Sequence, residues 1–544
     1  MKKYNKIKVV PLFINNIFYL IIPFILIITI NIILADNLNN ENLNFINIIF
    51  LKVKGKNAQK IINSYYIPDL IYLNGFEIEY DEYIIIDNNI INNITLIWES
   101  KLDTLENVFE SIENIIEVDL SKFDSSEITN MSGMFNGCIN LQYINFNNIN
   151  TSSVIDMSYM FQYCNSLVTL DLSFFDTSKV IRMNDMFHEC ILINSLNLSN
   201  FVTPNLEIMK SMFYKCNSLR KIVFTNMNTS KVTDMSNLFY NCFKLESINI
   251  NSFDTKNVEI FDYMFRYCTS LISLNIFNFN TYNAESMIGM FYGCSSLISI
   301  DLSNFETNNI LSMQYMFDGC FSLESIDLSN FTIDYIDMNY FFKDCYSLKS
   351  VKFPEDLILP HNIYSMFYEC YSLLSIDFSN FDFKYCYDFG YLFYQCASLT
   401  SINLSDFDVI ILENTDYMFY GCTSLKYIDL SNLISYSLYS IKFMFYDCTS
   451  LVYLDLTNFD TSLVTDMKYV FANCIKLTSI NLESFNTSLV LDMQSMFYGC
   501  ISLSSINLSY FDTYNVNNMK SMFFNCIELE SLDLSMFKFK IFKF

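Results

Sequence analysis

A thiol column runs through this sequence, and thiols have the widest chemical repertoire of any group it repeats. Cys138, Cys164, Cys190, Cys216, Cys242, Cys268, Cys294 and Cys320 stand 26 residues apart. Two steps of 25 lead to Cys345 and Cys370, and the period of 26 resumes through Cys396, Cys422, Cys448, Cys474 and Cys500 to Cys526. In an exported protein such a column could form disulfides or take up soft metals. No Cys-x-x-Cys pair suggests zinc, and 17 cysteines in 544 residues are too sparse for a disulfide scaffold. The cysteines keep step with Met and Phe, so a reduced ladder inside the core is expected, and Cys386, out of register, reads the same way.

A second column holds Asp171, Asp301, Asp327, Asp377, Asp429, Asp455 and Asp533, with Asn at several equivalent positions. Each lies between two apolar strand residues and so faces outward. Stacked like charges repel unless Asn, solvent or a cation such as calcium dilutes them. A solvated negative face is the plain expectation, and the same ladder is the chain's best candidate binding face for a basic partner. Thr-Ser pairs such as Thr177-Ser178 and Thr461-Ser462 read as turn and cap chemistry. His188 and His361 have no nucleophile at a readable motif beside them and are expected at the surface. No catalytic, cofactor-binding or metal-ligating residue is assigned, and an enzyme is not expected. Glycosylation sequons occur at Asn93, Asn130, Asn150, Asn197, Asn228, Asn330, Asn403, Asn486 and Asn507. They matter only in a eukaryotic host.

The elements that must carry these columns follow from composition. Hydrophobic residues make up 52% of the chain, with only 10 Gly and 6 Pro, which excludes a disordered or collagen-like chain. The formal charge of −26 repels phosphate backbones and argues against nucleic acid as a partner. Lys2, Lys3, Lys6 and Lys8 precede an uncharged run from Ile17 to Ala35. Residues 1–35 therefore read as a signal peptide cleaved near Ala35 or as an uncleaved signal anchor, and either places the rest outside the cell. Residues 36–100 carry strand-like runs with an Asn74-Gly75 hairpin signal, and are expected to form a small β cap with Trp98 at its junction.

Residues 101–544 repeat. Phe stands three residues before each of the sixteen registered cysteines and Leu three residues after, apart from Ile193; Phe109 with Ile112 opens an atypical further unit. Leu167, Leu170, Leu172 and Phe175 read as a strand with one buried face, and Asp176, Thr177 and Ser178 as a turn. Val180, Met183, Met186, Phe187 and Cys190 fall at spacings of three and four, the signature of a short helix. The expected fold is an α/β solenoid, a leucine-rich-repeat-like stack of about 17 strand–turn–short-helix units. The closing run from Phe537 to Phe544 leaves an apolar edge where a polar cap is expected, which a truncated chain or a pairing partner would explain.

The unit V-x-x-M-x-x-M-F-x-x-C-x-x-L-x-x-I-D-L-S-x-F-D-T-S resembles that of the BspA-like leucine-rich-repeat surface proteins, over about residues 101–537. Residues 446–472 follow the pattern through its length. Pro354, Asp356, Pro360 and His361 depart from it near the two 25-residue steps, where a local bend or loop is expected. The resemblance implies an extracellular, non-enzymatic protein that binds host or matrix proteins or other cells, and it carries no catalytic residue onto this chain. Adhesion or protein–protein recognition along the solenoid surface is the expected function; a self-associating surface coat is the alternative.

Overall fold

The computed structural model describes residues 47–80, 82–86, 90–356, 358–360, 362–404, 409, 411–430, 433, 436–457 and 459–538. The export segment, His361 and most of the closing run lie outside the described residues. Among the described residues no helix is long and apolar enough to cross a membrane. The chain forms two compact units, Met1–Thr177 and Ser178–Phe544.

In the first unit, β1 (Asn47–Lys54), β2 (Asn57–Gln59), β3 (Leu70–Leu73), β4 (Phe76–Ile78), β5 (Ile84–Ile86), β6 (Ile91–Trp98), β7 (Ile115–Lys122) and β8 (Tyr143–Asn145) build two sheets. The larger has the order β4-β3-β6-β1-β7-β8. Its cap strands pair antiparallel, whereas β7 and β8, the first repeat strands, pair parallel. The β3–β4 hairpin turns on Asn74 and Gly75, with φ of 51° and 88°. Only short polar or Gly residues take two left-handed positions in succession cheaply, which is why Asn-Gly marks such turns. Trp98 is buried, edge-on to Phe123 of the opening repeat.

The second unit continues with β9 (Ser195–Leu198), β10 (Lys221–Phe224), β11 (Ser325–Asp327), β12 (Ser350–Lys352), β13 (Ser375–Asp377), β14 (Ser401–Asn403), β15 (Tyr427–Ile428), β16 (Tyr453–Asp455) and β17 (Ser479–Asn481). Where they pair they pair parallel, coil on coil. The repeats of the two units amount to a β-solenoid of about 14 turns. That is fewer than the about 17 units expected from the spacing of the cysteines and phenylalanines.

The short helices are not there: no helix occurs among the described residues. The coil from Met235 to Cys242 shows what replaces them. Leu238 N–H donates to Met235 at 3.3 Å and Cys242 N–H to Phe239 at 3.1 Å, closing two successive four-residue turns. The third residue of each, Asn237 and Asn241, has φ of 57° and 58°. Between these bonds the N–H groups of Met235, Asn237, Phe239 and Asn241 leave the coil, donating to the carbonyls of Ile260, Asp262, Met264 and Arg266 at 2.7–2.9 Å. An α-helix would keep every one of those donors within its own chain segment. Two turns of four place Met235, Leu238, Phe239 and Cys242 at helical spacing, all fully buried, so apolar periodicity alone does not distinguish them from a helix.

Inside, Phe213, Phe239, Phe265, Phe291 and Phe317 stack at 5.4, 5.4, 5.8 and 5.4 Å. The cysteines are free thiols, all buried except the half-buried Cys526. Most donate Sγ–H to the Phe carbonyl of the preceding coil, as Cys242 does to Phe213 at 3.2 Å, while the out-of-register Cys386 donates to the Pro360 carbonyl at 3.3 Å. Burial pushes the Cys138 thiol up to about 12. Thr255 is also buried: its hydroxyl accepts from the Asn280 amide at 2.8 Å and donates to the Asn280 carbonyl at 2.9 Å. Thr281, Thr307, Thr461 and Thr487 repeat this bond, so the Thr of the Thr-Ser pairs points inward and ties coil to coil. Through the 25-residue steps the thiol ladder continues, Cys345 to Phe317 at 3.1 Å and Cys370 to Phe342 at 3.2 Å. The missing residue is absorbed in the corner before the turns, where Leu359 and Ile358 bridge to Asp334 and Phe381.

Candidate recognition face

The repeated turns project side chains two and five residues before each cysteine, and in the second unit many of these are tyrosine. Tyr368, Tyr394, Tyr420 and Tyr446 stack at 4.5, 4.7 and 4.7 Å with interplanar angles of 6–15°. Tyr391, Tyr417, Phe443 and Tyr469 form a second row at 4.6, 4.8 and 4.7 Å. The rows are cross-linked: Tyr391–Tyr394, Tyr417–Tyr420 and Phe443–Tyr446 centres lie 5.7–5.8 Å apart. All eight rings are half-buried. The second-row residues hold φ of 57–58°. Sidechain-bearing residues enter that region at a cost of about 1–2 kcal/mol, which the inter-coil hydrogen bonds offset here.

Three coils break the first row's column with charge. Arg266 lies among Tyr240, Tyr263, Tyr267 and Tyr292 at 4.4–5.3 Å from their centres. Asp318 is buried, and desolvation pushes its carboxyl up to about 7 despite Lys343 at 3.7 Å. Lys343 pairs more closely with Asp344, at 2.6 Å. His188, in the same column, meets Asp185 at 2.8 Å and stacks on Tyr214; it is not a free surface imidazole.

The aspartate column serves the backbone. One Oδ1 of Asp171, Asp301, Asp327, Asp377, Asp455 and Asp533 accepts the amide two residues on at 2.8–3.1 Å, closing the strand into its corner. Asn197, Asn249, Asn481 and Asn507 do the same, which accounts for their interchange with Asp. Amide and hydroxyl bonds from the following serine hold Asp171 and Asp533 below the usual carboxylate range, and hydroxyl and amide bonds do so for Asp301 and Asp327. Asp301 and Asp327 stand in adjoining coils, and Asp429 bridges Asp455; Lys352 pairs with Asp327 at 3.3 Å. Asn and Lys separate the remainder. Among the described residues no group of three or more His, Cys, Asp or Glu is placed to hold a metal ion.

The tyrosine rows are the feature that reasoning from thiols and carboxylates passed over. The signal was present: Tyr recurs two residues before Cys370, Cys396, Cys422 and Cys448, a position polar enough to be taken for ordinary surface.

Parallel coils, a thiol and phenylalanine core and hydrogen-bonded corners define a repeat protein of the β-solenoid class. The chain belongs to the family described as "Mycoplasma protein of unknown function, DUF285", which matches residues 103–224, 209–331, 272–352, 337–451 and 439–542. No curated protein matches it. Among solved structures the chain is similar to TLR13 in a TLR13–ssRNA13 complex, at 15% identity over 79% of each chain with a TM-score of 0.18. It is also similar to an LRR protein of Leptospira interrogans, at 13% identity over 65% of this chain and 87% of that one, with a TM-score of 0.20.

Proposed function

We propose that this chain is a recognition scaffold of the BspA-like kind, exported to the cell surface or beyond, which holds a partner protein against its tyrosine rows in adhesion. The observation that carries this reading is the double row from Tyr368 to Tyr469: eight contiguous rings, half-buried, on a backbone pinned coil to coil. Tyrosine offers large contact area with a polar tip and little side-chain entropy to lose, which is why protein interfaces are rich in it. The charge of −26 favours protein over nucleic acid. Catalysis has no part in this reading, because the charged residues that interrupt the rows are engaged with rings or with one another.

The test is a binding screen of the full chain against extracellular-matrix proteins, glycans and whole cells, with and without calcium. Saturable binding to a protein or cell, weakened about tenfold by Tyr394→Ser with Tyr420→Ser, supports the reading. Concentration-dependent assembly in light scattering with no saturable partner would replace it by the self-associating coat.

A further inference from the structure

The chemistry of the partner can be read from the face itself, given the recognition reading above. Cations of this chain already sit over rings of the two columns. Lys215 Nζ lies 5.3 Å from the Tyr214 centre and Lys343 Nζ 5.4 Å from that of Tyr368. Arg266 is held most completely, by four tyrosines at 4.4–5.3 Å. It makes no ion pair with a described carboxylate, and its Nε is buried with no hydrogen-bond partner. In this setting tyrosines hold a guanidinium at close range, through ring faces and the Tyr267 hydroxyl, with the Asp318 carboxyl further off.

From Tyr391 to Tyr446 the same columns continue without such an occupant. Among the described residues no cation lies over Tyr394, Tyr420 or Tyr446, and the hydroxyls of Tyr391, Tyr417, Tyr420 and Tyr446 make no hydrogen bond. Burial and then neighbouring rings and carboxylates push the Tyr391 and Tyr420 hydroxyls up to about 12, so they stay neutral. Within each row the ring faces close on one another, leaving edges and hydroxyl oxygens outermost. Asp416 and Asp466 are answered by Lys442 and Lys468 at 2.9 and 3.0 Å. Asp388, Glu413 and Asp447 have no ion pair among the described residues.

Asp447 acts on the Tyr420 and Tyr446 hydroxyls, and Asp388 and Glu413 on that of neighbouring Tyr439, so these oxygens together form an acceptor surface. The side chain that suits it is the guanidinium, whose planar fork carries five donors and tolerates contact with aromatic rings better than an ammonium does. We propose that the patch from Tyr391 to Tyr446, with Asp388, Glu413 and Asp447, binds an arginine-bearing basic segment of a partner protein. The net charge of the whole chain brings such a segment in, and the patch gives it a place to stop.

The full chain is titrated with a fluorescein-labelled oligoarginine peptide by anisotropy at about 150 mM salt, with oligolysine and oligoglutamate of equal length as comparators. Saturable binding is expected, tighter for arginine than lysine and absent for glutamate. Tyr394→Ser with Tyr420→Ser, and separately Asp388→Asn with Asp447→Asn, are expected to weaken it about tenfold. Glu306→Gln with Glu324→Gln, which removes the same two charges elsewhere, is expected to change it less than about twofold. Equal weakening by both charge pairs, or affinity untouched by the tyrosine pair in a chain of unchanged circular dichroism, would assign the binding to overall charge and overturn the proposal. Should the tyrosine pair unfold, the two charge pairs still decide. No oligoarginine binding also overturns it, and the recognition reading then stands or falls separately on whether a screened protein partner needs the tyrosines.

Discussion

Asp318 carries the residue-scale consequence of stacking coils with so few buried carboxyls. It is 4% exposed, faces Lys343 and Asp344 with Arg266 further off, and titrates at about 7 where an unfolded aspartate does so at 3.8. The folded state thus binds its proton more tightly, so the contribution to stability is complete below about pH 4 and is lost as pH rises through about 7. The ceiling on that change is on the order of 4 kcal/mol. Asp318→Asn should flatten the pH dependence of urea unfolding between pH 4 and 7 relative to the parent, and parallel curves would show that the carboxyl stays ionised. A neutral side chain can also be indispensable: Thr255→Val leaves the Asn280 amide and carbonyl without their shared hydroxyl and should cost about 1–3 kcal/mol, with Thr255→Ser costing less. The thiols make the opposite prediction, of inertness. Buried, and most of them hydrogen-bonded to Phe carbonyls, sixteen of the seventeen should resist a thiol reagent in the native state, and the half-buried Cys526 should react first.

At the scale of the element, the turn pair explains both what the sequence disclosed and what it concealed. The strand residues were legible because Ile and Leu alternate with Ser and Asp, a period that only an extended chain makes one-sided. The inward register of Met, Phe and Cys was legible for the same kind of reason. The conformation joining them was not, because Met235, Leu238, Phe239 and Cys242 would line one face of a helix equally well. The discriminating residues are Asn237 and Asn241, with Gly133, Gly137 and Gly293 at matching places. Yet Tyr263, Tyr315 and Tyr417 occupy the same left-handed region, so residue type there is diluted by the rows it builds. The candidate face stayed hidden because its information lies between coils, 26 residues apart, and not within a unit. Asn237→Ala should destabilise the second unit by about 1 kcal/mol and Asn237→Gly should not, since φ of 57° suits glycine and burdens alanine. A helix at this position would give the reverse order, so thermal melts of the two variants test the turn assignment directly.

At the scale of the molecule, the second unit is held by contacts between one coil and the next, with the strands, turn amides, Thr hydroxyls and Phe rings all bonding to immediate neighbours. Stability in such an array is a sum over coils and interfaces, and a weak interface can break its cooperativity. Phe291 lies mid-stack, 5.8 Å from Phe265 and 5.4 Å from Phe317, and is fully buried. Phe291→Ala should remove about 3–5 kcal/mol of packing at that point. Because the Phe stack joins each coil only to its immediate neighbours here, the loss should stay local: amide exchange should accelerate from Phe265 to Phe317 while amides around Cys448 keep their protection. The tyrosine rows lie far along the chain from this substitution, so oligoarginine binding should persist at temperatures where the Phe291 region already exchanges freely. Uniform acceleration across the unit would mean that the coils unfold together, and the recognition face would then be only as durable as the weakest coil beneath it.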